Sequence, residues 1–403
     1  MKKYVLAGTS GRGLHMFIKP MISQFREQVN IVGMFDVNQT RMNYVNKTLN
    51  TDIPVYMDFD LMMKETNPDV VIITTVDRFH HDYIIRALDY GCDVISEKPL
   101  TTDEMKVREI LKAKENSPNH ITVTFNYRFT PYVTRIKQLL LDGVIGNIRH
   151  VDFEYLLDRN HGADYYRRWH RKMENSGGLL VHKSTHHFDL VNWWLNQTPV
   201  DVYANGKLSF YGDDRKEKGI RCSTCAFADS CEFFVDYIHD EYYREFYFKA
   251  EHEDGYYRDR CVFDQEIDIY DTMSVGVTYD QGTLLTYSLT SFNPYEGWKV
   301  SFLGDKGRME ASEYHSGDKK DLPYYELDIY DVHGKHSNMK IDKAKGDHGG
   351  GDSKLRSMLF NDNIPDPLHH MADLQAGINS VMIGISANKS IREGKKFVIK
   401  ELL

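Results

Sequence analysis

The chain has 403 residues, 41% of them hydrophobic, and a formal net charge of −9. That is apolar material for a large core and length for two domains. The acidic balance argues against a nucleic-acid or acidic-membrane partner, either of which would need clustered Lys and Arg. The run after Met1-Lys2-Lys3 is too short for a signal peptide and no stretch approaches a membrane span, so a cytoplasmic protein acting on small molecules is expected.

Taken in order, the first part alternates short apolar strands at residues 4–7, 31–35, 70–74, 93–96 and 121–125 with helical patterns, the signature of a parallel sheet with crossover helices. The first strand opens into Gly8-Thr9-Ser10-Gly11-Arg12-Gly13, a Gly-x-Gly-x-x-Gly turn with serine at its second glycine. Gly8 makes the tight turn, Gly13 lets helix and strand approach, and the amides that follow can hold a pyrophosphate. Asp36 ends the second strand, where a carboxylate accepts bonds from the adenosine ribose and repels an added phosphate, so NAD is favoured over NADP. Arg12 is the cation that could offset that repulsion. A helix at 80–90 stops at Gly91. The strand at 93–96 then delivers Glu97-Lys98-Pro99, and Lys98 is the first candidate catalytic group.

After about residue 130 the pattern changes to alternating strands at 151–155, 272–279, 284–292 and 299–303. Turns at 280–282 and 304–307 make them antiparallel neighbours. The expected fold is α/β: a Rossmann doubly wound parallel sheet over 1–129, then an α+β domain over 130–403 with a large, mostly antiparallel open sheet. A Cys-containing insertion occupies about 212–265, and a long helix at 371–392 precedes a short strand at 397–399. Within the second domain, the run from Ser176 to Leu195 reads as one helix, with His182, Lys183, His186 and Asp189 near one face. Such histidines suit proton transfer, metal ligation or an ordinary helix surface. Cys222, Cys225 and Cys231 have metal-knuckle spacing and Cys261 could complete a closed structural zinc site; packed, reduced thiols are the alternative. Cys92 is placed in the core.

These motifs, with Thr75–His80, Asn126-Tyr127-Arg128-Phe129, Gly143–Gly146 and the 383–388 ending, make the chain resemble the Gfo/Idh/MocA family of NAD(P)-dependent sugar and inositol oxidoreductases over nearly its whole length. The resemblance implies that Lys98 sits beside the nicotinamide and the reacting hydroxyl, and that His186 is the general acid/base or orients the substrate. It implies cofactor contacts from Gly8, Ser10, Gly11, Arg12, Gly13, Asp36, Thr75, His80, Glu97, Lys98 and Arg128. Tyr127, Arg128, Tyr155, Asp164, Tyr165, Arg168 and Trp169 would line the sugar cleft, and the loop His348–Asp352 is read as a substrate loop or a linker. The family pattern Asp-x-x-x-His carries His182 in place of the aspartate, a titratable group where an anion is usual. Lys183 adds a second cation.

Lys98 is expected to stabilise a developing alkoxide while His186, partnered by His182, takes the proton, the two lysines and two histidines depressing one another's pKa values. The leading function is hydride transfer between NAD and a hydroxyl or keto carbon of a sugar, glycoside or inositol. A redox-assisted glycosidase or lyase with tightly bound NAD, and a non-catalytic NAD-binding sensor, are the alternatives. By resemblance a homodimer or homotetramer is expected.

Overall fold

The computed structural model describes residues 1–213 and 215–403. Six parallel strands, β1 (Lys2–Ala7), β2 (Val29–Phe35), β3 (Val55–Tyr56), β4 (Val70–Ile73), β5 (Asp93–Ser96) and β6 (Ile121–Val123), lie in the order β6-β5-β4-β1-β2-β3. Helices cover both faces, which is why β4 is a run of four buried aliphatic residues where a half-buried strand would alternate. Strand order reverses between β4 and β1, so the turns after β1, β4 and β5 open onto one crevice. Those turns carry Gly8–Gly13, Thr74–Asp77 and Glu97-Lys98.

The second sheet is built from β7 (Ile148–Asp158), β8 (Pro199–Lys207), β9 (Thr272–Tyr279), β10 (Leu284–Asn293), β11 (Gly297–Gly304), β12 (Gly307–Tyr314), β13 (Tyr324–Asp331) and β14 (His336–Asp342). With β15 (Ala372–Asp373) going elsewhere, β16 (Phe397–Val398) completes the order β14-β13-β12-β11-β7-β10-β9-β8-β16. The turns at 280–282 and 304–307 do join antiparallel pairs, β9/β10 and β11/β12. Strands β10 and β11, however, are not neighbours: β7 lies between them, parallel to β10 and antiparallel to β11. Helix Leu374–Glu393 packs on this sheet, Ser390 accepting the Ala204 amide at 2.9 Å. It passes so close to helix Gly178–His182 that a Cβ on Gly384 would lie 2.3 Å from the Leu180 carbonyl oxygen.

The second half of the chain returns to the first sheet at three places, so a division at 129/130 marks the chain and not the packing. Strand β15 adds an antiparallel edge to β6. Helix Gly351–Phe360 sets Phe360 edge-on against Tyr4 at 5.7 Å. The insertion, an irregular segment with short helices between β8 and β9, buries Phe246 and Tyr247 in a cluster with Leu14, Phe17, Met42 and Val45. Among the described residues no helix is long and apolar enough to cross a membrane.

Candidate active site

Lys98 follows β5 and reaches across the crevice into the second domain, its Nζ donating to the His182 carbonyl at 3.0 Å and standing 3.4 Å from His182 Nε2. That carbonyl is free because the expected single helix is two. Helix Gly178–His182 ends, Lys183 and Ser184 intervene, and helix Thr185–Leu195 begins. The His186 amide turns to Lys183 O at 3.3 Å, and Ser184 Oγ accepts from the buried Tyr287 hydroxyl at 2.9 Å. The break abolishes the common face expected for His182, Lys183, His186 and Asp189, and gives Lys98 a carbonyl to bind.

His182 finds its partner in the first domain. Its Nδ1 lies 2.5 Å from Asp77 Oδ2, where His186 was the expected partner. While Asp77 is ionised it can only accept, and in that state this contact puts the ring hydrogen on Nδ1 and turns the lone pair of Nε2 towards the Lys98 ammonium. Burial, reinforced by Lys98, His170, Arg168 and Lys183, holds the His182 imidazolium well below its usual pKa. Burial raises the Asp77 carboxyl well above its usual range, against the pull of Lys98. Burial also lowers Lys98 to about 8, although Asp77 and Glu97 act in the opposite direction. A neutral imidazole and an ammonium that can lose its proton near neutrality are thus in contact.

His186 is 8% exposed, lies T-shaped to Tyr127 at 5.2 Å, and has a buried Nδ1 without a hydrogen-bond partner among the described residues. Burial, then Lys98 and Lys183, keeps it neutral. Lys183 itself lies over the Tyr155 ring at 5.3 Å.

Several expected contacts have other work. Arg128, read as a cofactor group, forms a buried fork on Asp189 at 2.7 and 2.5 Å and donates to His369 O. Asp189 therefore belongs to a structural ion pair and not to the proton-transfer face. Replacing Arg128 with methionine should cost about 3–5 kcal/mol by stranding the Asp189 carboxylate, read by denaturant titration, with dinucleotide affinity unchanged. His80 sets its ring nitrogens on the carbonyls of Pro99 and Thr75, at 2.7 and 3.1 Å, and so supports the lysine turn from behind. Arg12 is held by Glu97 at 2.8 Å and Asp352 at 3.1 Å, which leaves it committed elsewhere than at the ribose. The His348–Asp352 loop, read as a substrate loop or a linker, is tied to the first domain. Asp352 also accepts from Asn126 at 2.7 Å and His348 at 2.8 Å, and His348, Gly349 and Gly350 all take positive φ.

The cleft wall holds a second network that sequence reasoning missed. Glu296 accepts from Tyr155 at 2.8 Å and lies 2.9 Å from His161, whose Nε2 is 3.1 Å from Tyr165. Despite burial, the His161 contact and Lys183 hold Glu296 down to about 2. His170 stacks on Trp169 at 3.6 Å and meets His182 at 4.3 Å. Asp164 pairs with Arg167 at 3.2 Å, while Arg168 Nε donates to Tyr256 of the insertion at 3.3 Å. Asp77 was within reach as a carboxylate in the marked 75–80 segment; no sequence signal singled out Glu296 or His161.

All four insertion cysteines line one cavity of about 30 Å³. All are free thiols, and among the described residues no three His, Cys, Asp or Glu side chains are gathered so as to hold a metal ion. The thiols share their cavity with Phe227, Phe233, Phe234 and Phe263. Cys92 is 1% exposed, as expected.

At the other end of the crevice, Gly8 (φ +95°) leaves no room for a side chain, since a Cβ would lie 2.6 Å from the Thr75 amide nitrogen. A Cβ on Gly13 would meet Thr74 Oγ1 at 2.7 Å, and Ser10 Oγ accepts the Gly13 amide at 3.1 Å. Asp36 closes the second strand with its carboxylate on the amides of Thr9 and Asn38, at 2.6 and 2.9 Å. This close glycine turn with a buried carboxylate beside it fits a dinucleotide. The backbone amides of Ser10, Gly11 and Arg12 would meet the pyrophosphate, Asp36 the ribose, and the Glu97-Lys98 turn the nicotinamide.

A dinucleotide crevice facing a lysine–histidine–aspartate cluster defines an oxidoreductase, and the chain belongs to the Gfo/Idh/MocA oxidoreductase family. Residues 2–125 match its NAD-binding Rossmann fold and residues 137–399 its C-terminal alpha/beta domain. YteT of Bacillus subtilis strain 168, named as an oxidoreductase, is 37% identical over 425 residues, covering 100% of this chain and 99% of its own length. Inositol 2-dehydrogenase of Rhizobium meliloti is 31% identical over 140 residues, 35% of this chain and 40% of that one. Among solved structures, an Agrobacterium radiobacter oxidoreductase in complex with NAD+, L-tartaric acid and magnesium shares the fold, with a TM-score of 0.67 at 14% identity over 100% of this chain and 99% of that one.

Proposed function

We propose that this protein is an NAD-dependent oxidoreductase moving a hydride between nicotinamide and a hydroxyl or keto carbon of a sugar, glycoside or inositol, with Lys98 and the Asp77–His182 pair handling the hydroxyl proton. The carrying observation is the Lys98 ammonium, lowered to about 8 and lodged against a histidine whose other nitrogen is on a carboxylate. Nicotinamide supplies the hydride acceptor or donor when bound. In the oxidising direction the carbinol hydrogen leaves as hydride with the C–H electron pair and the hydroxyl gives its proton to neutral Lys98, so that a carbonyl forms. His182 Nε2 then accepts a hydrogen bond from the lysine ammonium and steadies it, with Asp77 fixing the tautomer. His186, held neutral by burial and by Lys98 and Lys183, is suited to orient the same hydroxyl.

The His161–Glu296–Tyr155 network favours a second reading, in which an acid/base step elsewhere on the sugar accompanies the redox step. The test is incubation of purified protein and NAD with inositols, hexoses and glycosides. Net NADH formation is the expected result. Sugar release without net NADH would select the second reading, and neither product from any of them would refute both.

A further inference from the structure

We propose that the insertion carries a strap, residues 241–258, that closes over the adenosine end of the dinucleotide groove, retains NAD and excludes NADP. The proposal rests on dinucleotide binding but not on which sugar is oxidised.

The strap is tied to the first domain by a set of specific bonds. Glu253 accepts the amides of Gln39 and Thr40, at 2.5 and 3.0 Å, and the Thr40 hydroxyl. Those amides open the eleven-residue helix Gln39–Leu49, where an anion is stabilised and where a phosphate on the neighbouring ribose would otherwise be held. Asn38 donates to Ala250 O at 2.8 Å. Arg41 contacts Asp254 and stands 3.5 Å from Asp36. The ribose end is therefore ringed by Asp36, Glu253 and Asp254, and its cation, Arg41, is already claimed. Arg12 is likewise held by Glu97 and Asp352, so neither of these two guanidiniums is free to meet a 2′-phosphate, and like-charge repulsion disfavours NADP.

The same segment reaches the phosphate end. Tyr247 Oη accepts the Gly11 amide at 3.3 Å, and Tyr242 and Tyr247 hydroxyls both lie 2.9 Å from where a Gly11 Cβ would be. A pyrophosphate that uses this amide must displace the phenol, so entry and exit of the dinucleotide require the strap to shift. On its other side the strap is anchored to the rest of the insertion. Arg221, itself held by Asp259 at 2.8 Å, binds Glu251 of the strap at 2.6 and 2.9 Å, and within the strap Arg258 lies over Tyr247 at 4.4 Å. Tyr256 accepts from Arg168, which ties the strap to the cleft wall.

The experiment is release of NADH from the full-length protein after mixing with excess NAD, followed by nicotinamide fluorescence, together with titration by NADPH. No sugar is needed, so failure of the sugar reading leaves the result unaffected. The Glu253→Ala/Asp254→Ala double variant should release NADH at least about tenfold faster and bind NADPH at least about tenfold more tightly, because Arg41 and the helix amides are freed. Glu253→Gln, which keeps the size of the side chain and removes its charge, should move both quantities in the same direction and covers the case in which the double variant does not fold. Release within twofold of the native rate in the folded variants, or unchanged discrimination against NADPH, would overturn the proposal.

Discussion

Lys98→Met lowers turnover by about 10³–10⁴-fold, the size of a lost proton-transfer and alkoxide-stabilising group, while leaving NAD affinity measurable. The methionine retains the length and apolar contacts of the lysine stem but offers no hydrogen to the His182 carbonyl, 3.0 Å from Nζ in the native protein, or to the developing oxyanion. The pH dependence gives an independent check. Burial, the first cause, depresses the Lys98 pKa to about 8, so the neutral amine needed to take a proton from a hydroxyl is scarce below that pH and abundant above it. Oxidation by the native protein should therefore rise with pH through about 8. Reduction, which needs the ammonium, should fall over the same interval. The variant should lose this limb in both directions. Turnover near the native level would remove Lys98 from the chemistry.

The fold was readable because its parts are written locally. Buried aliphatic runs marked β4 and β5, and a glycine turn followed by Asp36 marked the crevice; the structure differs there by a residue or two at strand ends. Lys98 was legible for the same reason: a short strand ends and a constrained turn begins.

What could not be read were pairings made across the sequence. His182 and Asp77 are 105 residues apart, and Tyr155 and Glu296 are 141 apart. Arg128 looked like a cleft group until Asp189, 61 residues on, was seen to claim both of its donors. The helical period through 176–195 also concealed a break, because Ser184 is held by Tyr287 from another strand and periodicity carries no trace of that bond. The insertion was recognised by composition, but its aromatics gave no hint that they pack on the first sheet.

The Asp77→Asn substitution tests the contact between His182 and a carboxylate of the first domain. Asp77 supplies the carboxylate of the cluster, with His182 between it and Lys98. Asparagine matches the shape of aspartate but can donate as well as accept, so Nδ1 no longer has to carry the ring hydrogen. With the other tautomer an N–H would face the Lys98 ammonium, two donors opposed in a buried space. Turnover should fall by about 10²–10⁴-fold while NAD affinity is kept. Asp77 is also one of the charges that raise the Lys98 pKa, so its neutralisation should shift the limb of the pH profile to lower pH. A merely structural role for Asp77 would lower activity by lowering the amount of folded protein and would leave that limb where it is. Movement of the limb towards alkaline pH would show that Lys98 is not the group it reports.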